Sequence, residues 1–166
     1  VYGAEEVGLV GSGYDAGLRD HDRIKAIVNN DGVVRGRTLR CYTNGFDALE
    51  TAAETVGDRF DHPIETTPEL APHSDHWPYV QWGVPGYHVM SKTGSEGRGW
   101  GHTRADTLDK LESRNLREQA VLVAELVVEL ADEDTEVEPR DPDAIADQLE
   151  DEDLAEGMKI TGDWPY

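Results

Sequence analysis

Two adjacent carboxylates, Glu5 and Glu6, lie directly before a glycine-rich turn that contains Gly8 and Gly11. Neighbouring side chains at the end of an extended segment point in different directions. One carboxylate can therefore bind a metal ion while the other takes a proton from a metal-bound water. Because two adjacent Glu residues are more often simply exposed to solvent, the pair indicates a catalytic site only if other ligands accompany it.

Two further residues are candidate ligands. Asp31 follows the apolar segment 24–30, and His102 lies in the segment Gly101-His102-Thr103. Asp31 also fits an Asp-Gly turn in which its carboxylate bonds to its own backbone, and a single His in a loop is usually a surface residue. Carboxylate oxygen and imidazole nitrogen are, however, the donors that zinc takes from proteins. Together, the three residue types favour a metal site.

The elements that must position these residues follow from the hydrophobic pattern. We predict strands at residues 1–4, 24–30 and 39–42, a strand within 83–90, and a short helix from the glycine turn to about Arg19. Residues 58–78 and the glycine-rich segment 93–101 are predicted loops. Because the polar motifs fall at the ends of apolar strands, we expect an α/β layered sheet with the site beyond the carboxyl ends of its strands.

Further helices are predicted from the spacing of apolar residues and from candidate capping residues. Residues 46–57 show helical spacing, with Asn44 as the cap. A longer helix begins near Asn115, which has capping-box spacing to Glu118. Its predicted buried stripe consists of Leu116, Ala120, Val123, Ala124, Val127 and Leu130. Thr103 or Asp106 is expected to cap a helix after His102, and residues 143–156 are predicted to form a surface helix.

The composition limits the classes of partner. The 166 residues carry a formal net charge of -20, with 35 acidic residues against 15 basic ones. Such a surface repels nucleic acid and anionic lipid, so we expect neither as a partner. Because only four of the basic residues are Lys, the acidity favours adaptation to high salt over an ordinary solvated surface.

Location and redox state are weakly constrained. Cys41 is the single cysteine, so no disulfide within the chain is expected. The sequence contains no run of 18 apolar residues, and its first residues do not resemble a signal peptide. We therefore expect a soluble protein, with a slight preference for the cytoplasm and no prediction of oligomeric state.

The ordered motifs carry a family resemblance. They are Gly-Ala-Glu-Glu-Val-Gly at 3–8, Val-Asn-Asn-Asp-Gly at 28–32, Ser-Asp-His-Trp-Pro at 74–78 with Gly-Val-Pro at 83–85, and Gly-His-Thr at 101–103. In this order they resemble metallopeptidase family twenty-eight, which includes bacterial leucyl aminopeptidases. The resemblance is greatest to acidic versions from salt-loving archaea, and it covers the carboxy-terminal portion of the catalytic domain.

The resemblance implies an α/β fold with a mixed central sheet flanked by helices, as in zinc exopeptidases, and two zinc ions. It implies that Glu5 is the general base, that Glu6 and His102 bind one zinc, and that Asp31 binds the other. Asp75 and His76 match a segment near the substrate cleft, where substrate contact and support of the metal loop are both open. The expected substrates are peptides with a free amino terminus, hydrolysed at the first peptide bond.

Two metal ligands of that family, a His and a bridging Asp, precede the Glu-Glu motif, where this chain has only four residues. We therefore expect a sheet that is incomplete at the amino terminus, weak zinc binding and little hydrolysis by this chain alone. Residues 1–131 are assigned to the catalytic domain and 132–166 to an acidic helical tail. A carboxypeptidase, a glutaminyl cyclase and a non-catalytic acidic module remain as alternatives.

Overall fold

The central element of the fold is a mixed β-sheet. The computed structural model describes residues 1–93 and 99–166, and within them the sheet has four strands. They are β1 (Ile27–Asn30), β2 (Leu39–Tyr42), β3 (Ile64–Thr67) and β4 (Gly86–Ser91), in the spatial order β1-β4-β2-β3. β1 runs parallel to β4, β2 runs antiparallel to β4, and β3 runs parallel to β2. This is the predicted mixed sheet.

Helices flank this sheet. They are α1 (Val10–Ala16), α2 (Asp47–Arg59), α3 (Trp77–Val80), α4 (Ser113–Ala131), α5 (Pro142–Asp151) and α6 (Ala155–Thr161). Single 3-10 turns span Glu5–Val7, His21–Arg23 and Leu108–Lys110. In the part of the chain that the structure describes, no helix combines the length and the apolar character needed to cross a membrane.

The two faces of the sheet differ because side chains alternate along each strand. On β4, Tyr87 and Val89 are fully buried in the core, whereas His88 and Met90 are only partly buried. Tyr42 on β2 lies directly opposite His88, so it belongs to the same half-open face. The sheet therefore has one closed face and one face that is available to a ligand.

The closed face packs on α2 and α4. Its core includes Leu39, Cys41, Leu49, Val56, Leu122 and Leu126, each at most 2% exposed. Burial of an aliphatic side chain of this size contributes about 1.5–3 kcal/mol relative to exposure. This apolar layer holds β2 and β4 rigidly and so fixes the residues of the half-open face.

The predicted strand at residues 1–4 is wrong, and β1 is shorter than predicted. The carbonyls of Gly3 and Ala4 accept hydrogen bonds from Gly11 and Val10 at the start of α1, so this segment pairs with no strand in the described residues. Ile24 ends a 3-10 turn and packs beside Tyr79, which explains its apolar character without a strand.

The predicted loop 58–78 contains β3 and the first two residues of α3. β3 was not predicted because its sequence is polar. It is an edge strand, and its Glu65 forms ion pairs with Arg40 and Lys92. β2 is confirmed at the predicted position, and β4 begins within the predicted segment and ends one residue beyond it. Of the predicted glycine-rich loop 93–101, residues 94–98 lie outside the described residues.

The predicted caps are wrong. Asn44 does not cap α2; its amide donates to the carbonyl of Gly86 at 2.8 Å and accepts from the N–H of Ala71 at 3.0 Å. Glu118 forms ion pairs with arginines instead of a capping box, and α4 begins at Ser113. Between His102 and α4, the helical structure consists of the 3-10 turn Leu108–Lys110, which has no side-chain cap.

The face of α4 that the core buries differs from the predicted stripe. The buried residues are Gln119, Leu122, Leu126 and Leu130. Of the predicted stripe, all but Leu130 line an open apolar groove together with Val33 and Val34, and Leu116 and Val127 are about half exposed. Helix α4 is apolar on more than one side, so its sequence leaves open which side meets the sheet.

The carboxy-terminal residues pack on the same core. The prediction of one surface helix over 143–156 is wrong, because two helices form and Ile145 and Leu149 of α5 are fully buried. Asp141 caps α5 by accepting from the N–H of Asp143 at 3.0 Å. The domain boundary at residue 131 stays a prediction.

Candidate functional site

A cavity of about 400 Å³ lies on the half-open face of the sheet. Glu5, Glu6, Asp31 and His102, the four residues singled out in the sequence, all line it. They come from three separate segments of the chain. The structure therefore brings this set together in one place, while the roles assigned to its members stay predictions.

Glu5 and Glu6 lie on a 3-10 turn whose backbone is closely constrained. The carbonyl of Glu5 accepts hydrogen bonds from Gly8 and Leu9 at 3.1 and 3.0 Å. Gly11 has no room for a side chain, since a Cβ there would lie 2.6 Å from the carbonyl oxygen of Gly3. The turn thus presents both carboxylates from a fixed backbone, Glu5 partly buried and Glu6 exposed.

The carboxyl group of Glu5 is electrostatically distinct. Burial raises its pKa, and the negative charges of Asp31, Glu6 and Asp75 raise it further, while His102 acts in the opposite direction. A raised pKa favours proton uptake. The carboxylate of Glu5 therefore accepts a proton more readily than a carboxylate with an ordinary pKa does.

Glu6 and His102 contact each other across the cavity. The distance between Oε1 of Glu6 and Nε2 of His102 is 3.0 Å. His102 adopts a left-handed conformation with φ of 65°, in a turn where Thr103 donates to the carbonyl of Trp100 at 2.7 Å. This turn directs the imidazole towards the first segment.

Asp31 is held by the sheet and by a hydrogen-bonded chain. Its N–H donates to the carbonyl of Val89 at 3.0 Å, which continues the pairing of β1 with β4. Its Oδ2 accepts from Oγ of Ser74 at 2.8 Å, and that hydroxyl accepts from the amide of Asn29 at 2.7 Å. The carboxylate of Asp31 is therefore oriented by two side chains behind it.

Asp75 and His76 do not line the cavity. His76 is fully buried, and burial together with His88 and His73 lowers its pKa well below the usual value, so the ring is neutral. Its Nδ1 lies 3.4 Å from the amide of Asn29. Oδ1 of Asp75 is buried without a hydrogen-bond partner among the described residues. Both residues follow Ser74 in the loop before α3 and lie outside the cavity lining.

The other walls of the cavity were not anticipated. They are formed by Gly32, Arg35, Tyr42, Glu69, Leu70, Ala71, His73, His88 and Met90. The rings of His76, His88 and Tyr42 stack in sequence, with centroids 5.1 and 5.6 Å apart. The available signal for His88 was its place between two apolar residues of β4, Tyr87 and Val89. Arg35 and Glu69 carry no such signal, because their segments are irregular.

The donor set is incomplete for a closed metal site. Across residues 1–93 and 99–166, no group of three or more His, Cys, Asp or Glu side chains is arranged to hold one metal ion. Glu6 and His102 offer two neighbouring donors, and Asp31 offers a third from another part of the cavity lining.

Solved structures share this fold. An aminopeptidase from Aneurinibacillus sp. strain AM-1 aligns with a TM-score of 0.67 and 24% identity, over 84% of this chain and 33% of that one. The zinc aminopeptidase BSAP from Bacillus subtilis aligns with a TM-score of 0.68 and 20% identity, over 82% of this chain and 37% of that one. The Legionella pneumophila LapA aminopeptidase aligns with a TM-score of 0.66 and 23% identity, over 80% of this chain and 38% of that one. This chain thus spans little more than a third of their length.

The comparison of sequences gives the family. No curated protein sequence matches the chain. A family profile described as Peptidase family M28 matches residues 1–127, which include every segment that lines the cavity. The chain belongs to Peptidase family M28.

Proposed function

We propose that the cavity is part of the active site of a zinc-dependent aminopeptidase. One observation carries the proposal: Glu5, Glu6, Asp31 and His102 reach a single cavity from three separate segments. Membership of the peptidase family supports hydrolysis of peptide bonds. The name of the Bacillus subtilis relative supports zinc as the metal.

The spacing of the donor atoms supports zinc binding by Glu6 and His102. Two ligand atoms at about 2.0–2.1 Å from one tetrahedral zinc lie roughly 3.3 Å apart. The separation of 3.0 Å between Oε1 of Glu6 and Nε2 of His102 is close to that value. Asp31 would hold the second ion, oriented by Ser74. Zinc, when bound, polarises the scissile carbonyl and lowers the pKa of its water to about 7.

Glu5 acts as the general base in this proposal. It lies next to a proposed ligand, and its position among three other acidic groups favours proton uptake. It takes a proton from the attacking water and delivers it to the nitrogen of the leaving amine, so that no net proton is gained by the enzyme.

Asp75 and His76 support the metal loop in this proposal. The hydrogen-bonded chain from Asn29 through Ser74 to Asp31 runs beside the buried ring of His76. Groups behind a ligand of this kind fix its orientation and commonly change metal affinity by about 10–100-fold when they are removed. Because neither residue lines the cavity, support accounts for their positions better than substrate contact does.

The charge of the cavity favours a substrate with a free amino terminus. Glu5, Glu6, Asp31 and Glu69 line it, and an ammonium group is attracted to such a cluster. A carboxypeptidase or glutaminyl cyclase would use the same metals with a different substrate end. Substrates with free and blocked amino termini separate these activities.

The test is zinc-dependent release of p-nitroaniline from leucine p-nitroanilide, with N-acetyl-leucine p-nitroanilide as the blocked substrate. We expect slow release from the free substrate alone and a loss of at least about 100-fold in Glu5→Gln. Glu54→Gln, which removes an exposed carboxylate on α2, is the matched control and should retain the rate. Equal rates in Glu5→Gln and the control would refute the proposal.

A further inference from the structure

Arg35 is the one arginine in the lining of the cavity, within the residues described. The arginines with ion pairs in this part of the chain are Arg19, Arg37, Arg40, Arg59 and Arg114. Among the described residues Arg35 has no such pair, although Glu5, Glu6, Asp31 and Glu69 line the same cavity. Its guanidinium is therefore available to an external carboxylate, for which its planar fork of N–H donors is well suited.

The backbone on both sides of Arg35 is clamped. The N–H of Val34 donates to Oε1 of Gln119 at 2.7 Å, and Nε2 of Gln119 donates to the carbonyl of Gly36 at 2.7 Å. Gln119 is itself buried on α4. Arg35 therefore extends from a fixed point of the fold, which limits the conformational entropy that the loop loses when a ligand binds.

The guanidinium lies between the two segments that carry the proposed metal ligands. A Cβ built at Gly101, next to His102, would lie 2.6 Å from a terminal nitrogen of Arg35. A Cβ built at Gly32, next to Asp31, would lie 3.9 Å from Cζ of Arg35. Gly101 leaves space that the guanidinium occupies, and the distance at Gly32 is an ordinary van der Waals contact, so the cation lies beside the proposed catalytic residues.

We propose that Arg35 binds a substrate carboxylate that lies close to the scissile bond, so that the enzyme favours dipeptides or peptides with an acidic second residue. This inference rests on the proposed function for the orientation of the peptide. The carboxylates of the cavity would attract the amino end of the substrate, and Arg35 would bind its acidic end. A substrate of this class has both charges within a few bonds of each other.

The test compares three peptides that share a free amino-terminal leucine. Leucyl-glycine has a terminal carboxylate, leucyl-glutamic acid α-amide has one on its side chain, and leucyl-glycinamide has none. Binding is measured by calorimetry or NMR titration on the 166-residue chain without added zinc. We expect at least one carboxylate peptide to bind about tenfold more tightly than leucyl-glycinamide.

Two variants separate the contribution of Arg35 from the loss of a positive charge. Arg35→Gln should abolish the preference, and Arg35→Lys should retain part of it because the charge remains without the fork. Arg37→Gln is the matched control, since it removes the same charge two residues away, at an arginine paired with Glu118 outside the cavity. It should keep the preference. If Arg35→Gln weakens the binding of leucyl-glycine, Arg35 binds a terminal carboxylate. If it weakens the binding of leucyl-glutamic acid α-amide, Arg35 binds a side-chain carboxylate.

Several outcomes would overturn the inference. They are no preference in the wild-type chain, no binding of any of the three peptides, and a preference that persists in Arg35→Gln. An equal loss for all three peptides would also overturn it, because Arg35 would then only position the two loops. Since these titrations need no zinc, the inference can fail while zinc-dependent hydrolysis stands, and it can hold if hydrolysis is absent.

Discussion

Nε2 of His102 lies 3.0 Å from Oε1 of Glu6, and this contact joins the turn before α1 to the segment between β4 and α4. Both side chains are about half exposed or more, so solvent weakens their mutual attraction. The contact therefore contributes little to stability. Under the proposed function, the contact matters because it places two donor atoms at a separation that suits one metal ion.

Zinc binding should depend on both members of this pair. His102→Ala or Glu6→Gln is expected to lower zinc affinity more than about tenfold, since even residues that only orient ligands change it by 10–100-fold. Competition with a chromogenic chelator measures the affinity and the stoichiometry. Because the described donors form no group of three, we expect weak binding with fewer than two tightly held ions.

His62→Ala is the control for the zinc measurement. His62 lies away from the cavity, near Glu118 and the end of α2, so its loss should leave zinc affinity unchanged. If His62→Ala weakened binding as much as His102→Ala, the metal would be bound elsewhere.

Ser74→Ala should affect the second proposed metal position. The substitution removes the 2.8 Å hydrogen bond to Asp31 and the 2.7 Å hydrogen bond that Ser74 accepts from the amide of Asn29. We expect about a tenfold or greater loss in zinc-dependent hydrolysis, with a folded protein by circular dichroism. Ser113→Ala, at the exposed start of α4, is the control. Unchanged hydrolysis in Ser74→Ala would show that the orientation of Asp31 is unimportant.

The buried face of α4 can be tested by two adjacent truncations. Leu126→Ala removes a fully buried side chain and should lower the free energy of unfolding by about 3 kcal/mol. Val127→Ala, at a position 48% exposed and in the predicted stripe, should change it by less than about 1 kcal/mol. Urea denaturation measures both. The reverse order of effects would mean that the predicted stripe, and not the observed face, packs on the core.

The carboxylate of Asp15 should make stability depend on acid pH. Hydrogen bonds from Arg19 and Tyr79 hold its pKa at about 2, below the ordinary value of 3.8. Between these two values the unfolded chain binds more protons at this position than the folded one, so stability rises with pH. The contribution is complete above about pH 4 and is lost as pH falls through 2.

Chemical denaturation at several pH values tests this expectation. Asp15→Asn should be less stable than the wild type at pH 5, and the difference should shrink as pH falls from 4 to 2. Asp58→Asn, at an exposed position on α2, is the control and should show no such trend. A constant difference between wild type and Asp15→Asn across this range would contradict the assignment.

The sequence by itself determined the residue types of the site and much of the sheet. The segments that carry Glu5, Glu6, Asp31 and His102 were recognisable because each is a short contiguous motif. Strands β2 and β4 were predictable because alternation of side chains is a local property.

Only the tertiary structure decided what depends on contacts between distant segments. Strand β3 is polar and exists because it pairs with β2, and the buried face of α4 was decided by the position of the sheet. The hydrogen bond from Ser74 to Asp31 and the place of Arg35 between Gly32 and Gly101 likewise join segments far apart in the chain. The physical reason is that such contacts depend on the topology of the whole chain, which a local pattern of residues does not specify.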